Sequence, residues 1–337
     1  MSPLRIGVLG AARIVPMALI KPARQVPDVE IAAIAARDRA RAEKFAAKHG
    51  IGTVHDSYDA LLADDRLDAI YVPLPNGLHA PWTVRALEAG RHVLCEKPFT
   101  ANAEEARQVA DAAARTGRTV MEAFHYRYHP LAERMREIVT TELGRVRHVE
   151  TAMCFPLPRF SDIRYRLDLA GGATMDAGCY AIHCLRLLGP GTPEVTDARA
   201  LLKSPGIDRA MTATFAFAEG ATGRITTSLW SRTLLRISAK VVGERATMTI
   251  LNPFMPHFFH RLKVTVDGRT RREKVAGDAT YTHQLRAFAA AVAGDPAANL
   301  TPPEDAVVTM GLIDDIYRAA GLGPRGDAQR SSGTASA

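Results

Sequence analysis

Cysteine and aromatic residues are scarce in this chain, and long apolar runs are missing. Its four cysteines, Cys95, Cys154, Cys179 and Cys184, are scattered over 337 residues with no Cys-x-x-Cys pair. That spacing argues against a disulfide framework or thiolate metal cage and fits reduced packing residues in a cytoplasmic protein. No His-Glu dipeptide stands among the eleven histidines, and no catalytic metal is expected. Aromatics make up 6% of the chain and do not interleave with bases in a stripe, so the net charge of +7 does not imply nucleic acid. Acids stand among the arginines, as in Arg37-Asp38-Arg39, and an anionic cofactor accounts for the balance equally well. The apolar runs are too short to cross a bilayer, and no basic segment precedes the apolar run at residues 6–9, so neither membrane insertion nor a secretory signal is expected.

What is present is globular composition, 47% hydrophobic and 23% charged, in a chain long enough for two domains. Over residues 1–124, short β-rich runs (4–9, 29–36, 69–73, 92–95, 119–122) alternate with helical patterns (39–48, 80–89, 103–115). This is the rhythm of a doubly wound parallel sheet, a Rossmann domain. Gly50, Gly90 and Gly117 act as helix stops, Pro16 suits a first helical turn, and Pro22 and Pro27 are read as keeping that helix short.

The pattern changes over residues 125–322. Helices are expected at 131–140 and 173–188, and extended runs at 147–155, 195–203, 211–218, 223–231, 235–242, 246–251 and 261–266. Glu219-Gly220 and Asp267-Gly268 are hairpin signals. The expectation is an α+β domain, an open-faced, mostly antiparallel sheet with helices on one face. Terminal helices at 281–293 and 303–320 follow, with the option of packing back on the first domain. Residues 323–337, polar and rich in Gly and Ser, read as a disordered tail.

Gly7-Val8-Leu9-Gly10-Ala11-Ala12-Arg13-Ile14 joins the first strand to its helix, where backbone N–H groups and the positive helix end receive a pyrophosphate. Ala12 and Val15 replace the later glycines of the usual fingerprint, so position in the strand–helix series carries the reading. The second strand ends in Ala36-Arg37-Asp38. An acid there holds a ribose 2′-hydroxyl and a base accommodates a 2′-phosphate, so Arg37 favours NADP while Asp38 leaves NAD open.

Three further stretches carry a specific pattern: Val72-Pro73-Leu74-Pro75-Asn76-Gly77-Leu78-His79, Gly90-Arg91-His92-Val93-Leu94-Cys95-Glu96-Lys97-Pro98, and Gly171-Gly172-Ala173-Thr174-Met175-Asp176-Ala177-Gly178-Cys179-Tyr180-Ala181-Ile182-His183. With the loop at Gly10 they resemble the Gfo/Idh/MocA oxidoreductases over about residues 4–320, nearest the branch of dimeric dihydrodiol dehydrogenases and NADP-linked xylose dehydrogenases. The resemblance implies a catalytic site where a Rossmann domain meets an open sheet domain, and homodimers or homotetramers packed through that sheet. It also implies a small cyclic substrate bearing a hydroxyl or carbonyl. Cofactor contacts are expected from Gly10, Ala12, Arg13, Ile14, Arg37, Pro75, Asn76, His79, Glu96 and Lys97.

Hydride transfer from a carbinol needs a group to take the hydroxyl proton. Asp176, Tyr180 and His183 stand at i, i+4 and i+7 of one expected helix and so share a face. A phenol with an ordinary pKa of about 10 is a poor base, and a neighbouring ammonium lowers it. Tyr180 is therefore assigned the proton transfer and Lys97 its tuning, with the reverse division left open. The peptide before Pro98 is a candidate for the cis form. Asp176 and His183 would orient neighbouring hydroxyls, and the glycines at 171, 172 and 178 would allow close approach of backbone and nicotinamide. Glu96 is either a ligand of the nicotinamide-side ribose or the counter-charge of Lys97. Tyr126 and Arg166, in the polar aromatic stretches at 126–129 and 164–166, either line the substrate pocket or serve the surface. Two other functions fit the same pattern, a glycosidase using NAD for transient ring oxidation and a non-catalytic nucleotide sensor. The latter has no need of both Lys97 and Tyr180.

Overall fold

The computed structural model describes residues 2–326. The chain divides into two compact units. The first takes in the chain up to Thr100, Glu104–Tyr128 and Asp278–Val307, and the second takes in Ala101–Ala103, His129–Gly277 and the chain from Val308 on.

The first unit runs β1 (Leu4–Leu9), a wide helical turn (Pro16–Ile20) continuing as α1 (Lys21–Ala23), β2 (Val29–Ala35), α2 (Arg39–His49), β3 (Thr53–His55), α3 (Tyr58–Leu62), β4 (Ala69–Val72), α4 (His79–Glu88), β5 (His92–Cys95), α5 (Ala103–Thr116) and β6 (Val120–Glu122). Its strands form one parallel sheet in the order β3-β2-β1-β4-β5-β6. Ile70, Tyr71, Val72, Val93 and Leu94 have no exposed surface, which explains the continuous apolar strands. The order reverses at β1, and in open α/β sheets ligands bind beyond the carboxyl ends of the strands at such a switch point. Gly50, Gly90 and Gly117 follow α2, α4 and α5 with φ of 75°, 77° and 63°, the left-handed stop their positions suggest.

Two local readings need correction. Pro22 does not end the first helix but lies inside it. The Lys21 N–H reaches back to the Pro16 carbonyl, an i→i+5 bond, and within this widened turn the chain stays helical although Pro22 has no N–H to give. The short elements β3 and α3 were not expected, because three and five residues are too few to show a hydrophobic period.

The second unit contains α6 (Pro130–Thr141), β7 (Val146–Cys154), a wide turn (Thr174–Gly178) leading into α7 (Cys179–Leu188), and β8 (Glu194–Ser204), β9 (Ile207–Ala216), β10 (Thr222–Ser228), β11 (Arg236–Gly243), β12 (Ala246–Leu251), β13 (Arg261–Val266) and β14 (Arg269–Glu273). The eight-stranded sheet has the order β14-β13-β12-β11-β7-β10-β9-β8 and is antiparallel except where β10 runs parallel to β7. Helix α7 lies on one face, where the Thr151 hydroxyl donates to the Ala181 carbonyl at 2.7 Å. Asp267 and Gly268, with φ of 47° and 77°, make the two-residue hairpin that pairs Val266 with Arg269. The sequence Arg-Thr-Arg-Arg-Glu of β14 lacks the apolar alternation that would have revealed it.

Two helices close the described chain, α8 (Thr280–Val292) in the first unit and α9 (Pro303–Ala319). Within the first unit His125 bonds Thr280 at 2.8 Å and stacks on Tyr281 with ring centres 4.0 Å apart. The expected tail at 323–337 is described only to Gly326, and there it departs from expectation: Arg325 is 2% exposed because an aspartate, a carbonyl and an aromatic ring receive its guanidinium. Residues 327–337 lie outside the described residues.

Candidate dinucleotide and catalytic site

The phosphate loop begins where β1 ends. The Gly10 N–H donates to the Ala35 carbonyl at 2.7 Å, and its φ of 96° is one that a side chain would strain. A Cβ at this position would also stand 3.3 Å from Leu74. Ala11 is buried, Ala12 and Ile14 are half-buried, and Arg13 is exposed before the helical run at Pro16. The loop thus leads, partly exposed, into the start of a helical run, where anions are favoured.

At the end of β2, Arg37 and Asp38 are both exposed, but their surroundings differ. The Asp38 carboxylate caps α2 by accepting from the Arg41 N–H at 3.2 Å, so the acid that would have favoured a free ribose hydroxyl has another task. Arg41 was not foreseen, because on sequence it is one of several arginines along a helix. Its guanidinium donates to the Ala11 carbonyl at 2.7 Å, tying α2 to the phosphate loop. Arg37 and Arg41 also act on the half-buried Tyr58, whose ionisation burial raises and these two charges pull back down. The Tyr58 ring meets Trp82 edge-on at 4.8 Å, and Arg85 lies over Trp82 at 4.4 Å. Two guanidinium groups and an aromatic platform therefore adjoin the loop, a donor set suited to a phosphorylated ribose and its base.

The Glu96-Lys97-Pro98 segment leaves the carboxyl end of β5. Glu96 is 7% exposed and accepts from the Tyr71 hydroxyl at 2.6 Å; Lys97 is half-buried, and the Lys97–Pro98 peptide is cis. Pro75 and Asn76 are half-buried at the entry to a short 3-10 turn, Asn76–Leu78. His79 was expected at the cofactor, but it is 1% exposed with its Nδ1 2.8 Å from the Pro98 carbonyl and its Nε2 2.7 Å from the Leu74 carbonyl. It braces the Lys97 segment against the loop after β4. Burial, outweighing the two carbonyls, lowers its pKa to about 4.

In the second unit Asp176 sits in the wide turn before α7, and its carboxylate pairs with Arg164 at 2.9 Å. Arg164 in turn bonds Asp162 at 3.0 Å, and the two carboxylates, Asp176 foremost, raise its pKa. The wide turn takes Asp176 out of the plain helical register assumed for it with Tyr180 and His183. Tyr180 is 6% exposed with its ring centre 5.2 Å from that of Phe254, and His183 is 5% exposed.

Arg166 is exposed and paired with Asp168 at 3.0 Å, while Arg164 pairs with Asp176. Tyr126 is buried and stands edge-on to Phe124. A Cβ at Gly171 would come 2.7 Å from the carbonyls of Arg164 and Arg166, and one at Gly172 would come 2.7 Å from the Tyr317 hydroxyl. Their smallness serves packing inside the protein. His125 and His129, although spaced like metal ligands, bond Thr280 and cap α6 through the Leu131 N–H. Among the described residues no His, Cys, Asp and Glu cluster is arranged to hold a metal, and no helix is long and apolar enough to cross a membrane.

A parallel sheet with a glycine turn at its switch point, followed by a large, mostly antiparallel sheet, defines a dinucleotide-binding oxidoreductase with an appended sheet domain. Comparison with known proteins narrows the class. A model described as oxidoreductase family, NAD-binding Rossmann fold matches residues 4–124, and the GFO/IDH/MocA C-terminal domain matches residues 132–249. The chain belongs to the Gfo/Idh/MocA oxidoreductase family. It is 41% identical over 326 residues to D-xylose 1-dehydrogenase (NADP(+)) 2 of Haloferax volcanii, covering 95% of this chain and 98% of that protein. It is 33% identical over 186 residues to trans-1,2-dihydrobenzene-1,2-diol dehydrogenase of Xenopus laevis, covering 55% and 56%. A 3-ketoreductase from Actinomadura kijaniata, crystallised with NADP and TDP-benzene, superposes with a TM-score of 0.85 at 28% identity, covering 94% of this chain and 98% of that one.

Proposed function

We propose that this oxidoreductase is an NADP-linked dehydrogenase or reductase acting on a hydroxyl or carbonyl of a sugar, ketosugar, cyclic polyol or vicinal diol. The observation that carries the cofactor choice is the end of β2, where Arg37 is exposed, Arg41 bonds the Ala11 carbonyl of the phosphate loop and Asp38 is engaged as a helix cap. The relatives named for NADP and for sugar or diol substrates point the same way.

Bound at the Gly10 loop, the nicotinamide nucleotide would supply or accept the hydride. Tyr180 passes the proton between its phenolic oxygen and the reacting hydroxyl. The Lys97 ammonium donates to that same substrate oxygen and favours the phenolate. Asp176, held by Arg164, accepts from a neighbouring hydroxyl, and His183 orients another. Glu96, which accepts from Tyr71 after β5, would bond the nicotinamide-side ribose.

Association into a homodimer or homotetramer through the large sheet is part of the same reading. Along β11, Ala239 and Val241 are buried whereas Lys240 between them is exposed, and Leu251 and Val266 remain 42% and 38% exposed at the ends of β12 and β13. A cytoplasmic setting is supported by the cysteines, all four of which are free and buried.

The test is a screen of aldoses, ketoses, inositols and diols for change in absorbance of the reduced cofactor, followed by Tyr180→Phe and Lys97→Met on the best substrate. Loss of acid–base help should lower turnover by about a hundredfold or more while cofactor affinity stays within about twofold. Normal turnover in either variant rejects the assigned role. Elimination of a glycoside without net consumption of cofactor would reject the dehydrogenase reading altogether.

A further inference from the structure

Beyond the end of α9 the chain places an arginine in the interior of the second unit. Arg325 is 2% exposed, its Nε donates to the Gly171 carbonyl at 2.8 Å, and its Nη2 donates to Asp208 Oδ1 at 2.8 Å. Its guanidinium carbon lies 3.9 Å from the centre of the Tyr317 ring, and the Tyr317 hydroxyl donates to the same Asp208 oxygen at 3.0 Å. The other oxygen of Asp208, which is 0% exposed, accepts from both the backbone N–H and the hydroxyl of Thr174 at 2.7 Å. The Arg325 carbonyl accepts from the Asn102 amide at 2.7 Å. Gly172, at φ 135°, passes through the middle of this cluster, where a Cβ would meet Tyr317 and Arg325 at 2.7 and 2.9 Å.

A buried ion pair adds little net stability once desolvation is counted, so its worth here is better sought in what it fixes. Every group the cluster grips lies in one of two places. Gly171 and Thr174 form the entry to the wide turn carrying Asp176, with Tyr180 one turn further on. Asn102 stands five residues after Lys97 along the chain. The planar fork of Arg325 bonds a carbonyl and a carboxylate at once, a geometry that a lysine ammonium does not reproduce.

We propose that Arg325 is a positioning residue for turnover, clamping the entry of the Asp176–Tyr180 helix through Gly171 and Asp208 and the segment after Lys97 through Asn102. The proposal rests on the reading of Tyr180 and Lys97 as the proton-handling pair. In Arg325→Ala, amide exchange over residues 171–178 rises, and turnover of the sugar falls by about tenfold or more while NADP affinity stays within about twofold. Guanidinium ion at non-denaturing concentration restores part of the lost turnover, and Arg325→Lys restores less than the native residue. Unchanged exchange at 171–178, or a loss of activity that only tracks loss of folded protein and is not rescued, overturns the clamp. Should Arg325→Ala fail to fold, Arg325→Lys carries the same test, since it keeps the charge and loses the planar fork that bonds Gly171 and Asp208 together. Turnover should then fall by about two- to fivefold with exchange raised at the same amides, and native values for both overturn the clamp. Failure of the underlying reading shows elsewhere, as full turnover in Tyr180→Phe, independently of the exchange result.

Discussion

Replacing Arg37 with alanine should weaken NADP and leave NAD almost untouched. Arg37 is exposed at the end of β2 and shares its surroundings with Arg41 and Tyr58, so a 2′-phosphate there would meet two guanidinium groups. A hydrogen bond to a charged group is worth about 1.5–3 kcal/mol, and exposure puts Arg37 toward the lower end. With 1.4 kcal/mol per decade, the dissociation constant for NADP should rise about ten- to thirtyfold, and that for NAD less than twofold. Arg41→Met provides an internal control, because Arg41 also holds the Ala11 carbonyl of the phosphate loop. Its loss should weaken both nucleotides, NADP more than NAD. The assay is calorimetric titration of each variant with each nucleotide at two salt concentrations, and the NADP penalty should shrink at the higher one. An unchanged ratio of NADP to NAD affinity in Arg37→Ala would refute the assignment of the 2′-phosphate to this corner.

Two further outcomes follow from burial and charge. Cys95 is 0% exposed and its thiol is pushed up well beyond the ordinary range, chiefly by burial, so iodoacetamide at pH 8 should leave it unlabelled until the protein unfolds; stoichiometric labelling of native protein, read by peptide mass, would contradict this. Glu273 on β14 is lowered from 4.5 to about 2, mainly by the Arg134 guanidinium and further by Arg271. Because its folded pKa is depressed, its contribution is complete above the unfolded value near 4.5 and fades as pH falls toward 2. Denaturant titrations should therefore show native protein and Glu273→Gln converging between pH 5 and about 2, and a gap independent of pH would exclude the ion pair as its source.

By itself the sequence determined the parts of this protein that are local and periodic. The apolar runs at 4–9 and 92–95 became β1 and β5 at the same residues, because strands buried on both faces must be apolar along their length. Asp267-Gly268 became a hairpin because two successive positive φ values call for such residues. The glycine turn at Gly10 and the pattern around Lys97 and Tyr180 were legible for the same reason, being contiguous in the chain. Tertiary structure decided which polar side chains face one another, a matter of long-range distance that periodicity does not encode. It put Arg164 rather than Arg166 against Asp176, although the two differ by only two positions. It turned His79 inward onto two carbonyls and buried Tyr126. It also drew Arg325 out of a stretch that composition marks as a loose tail and set it on Asp208, 117 residues away along the chain. A charge can be buried in so polar a segment only because the fold delivers its partners, and those partners appear in sequence as an unremarked aspartate, a tyrosine and a carbonyl.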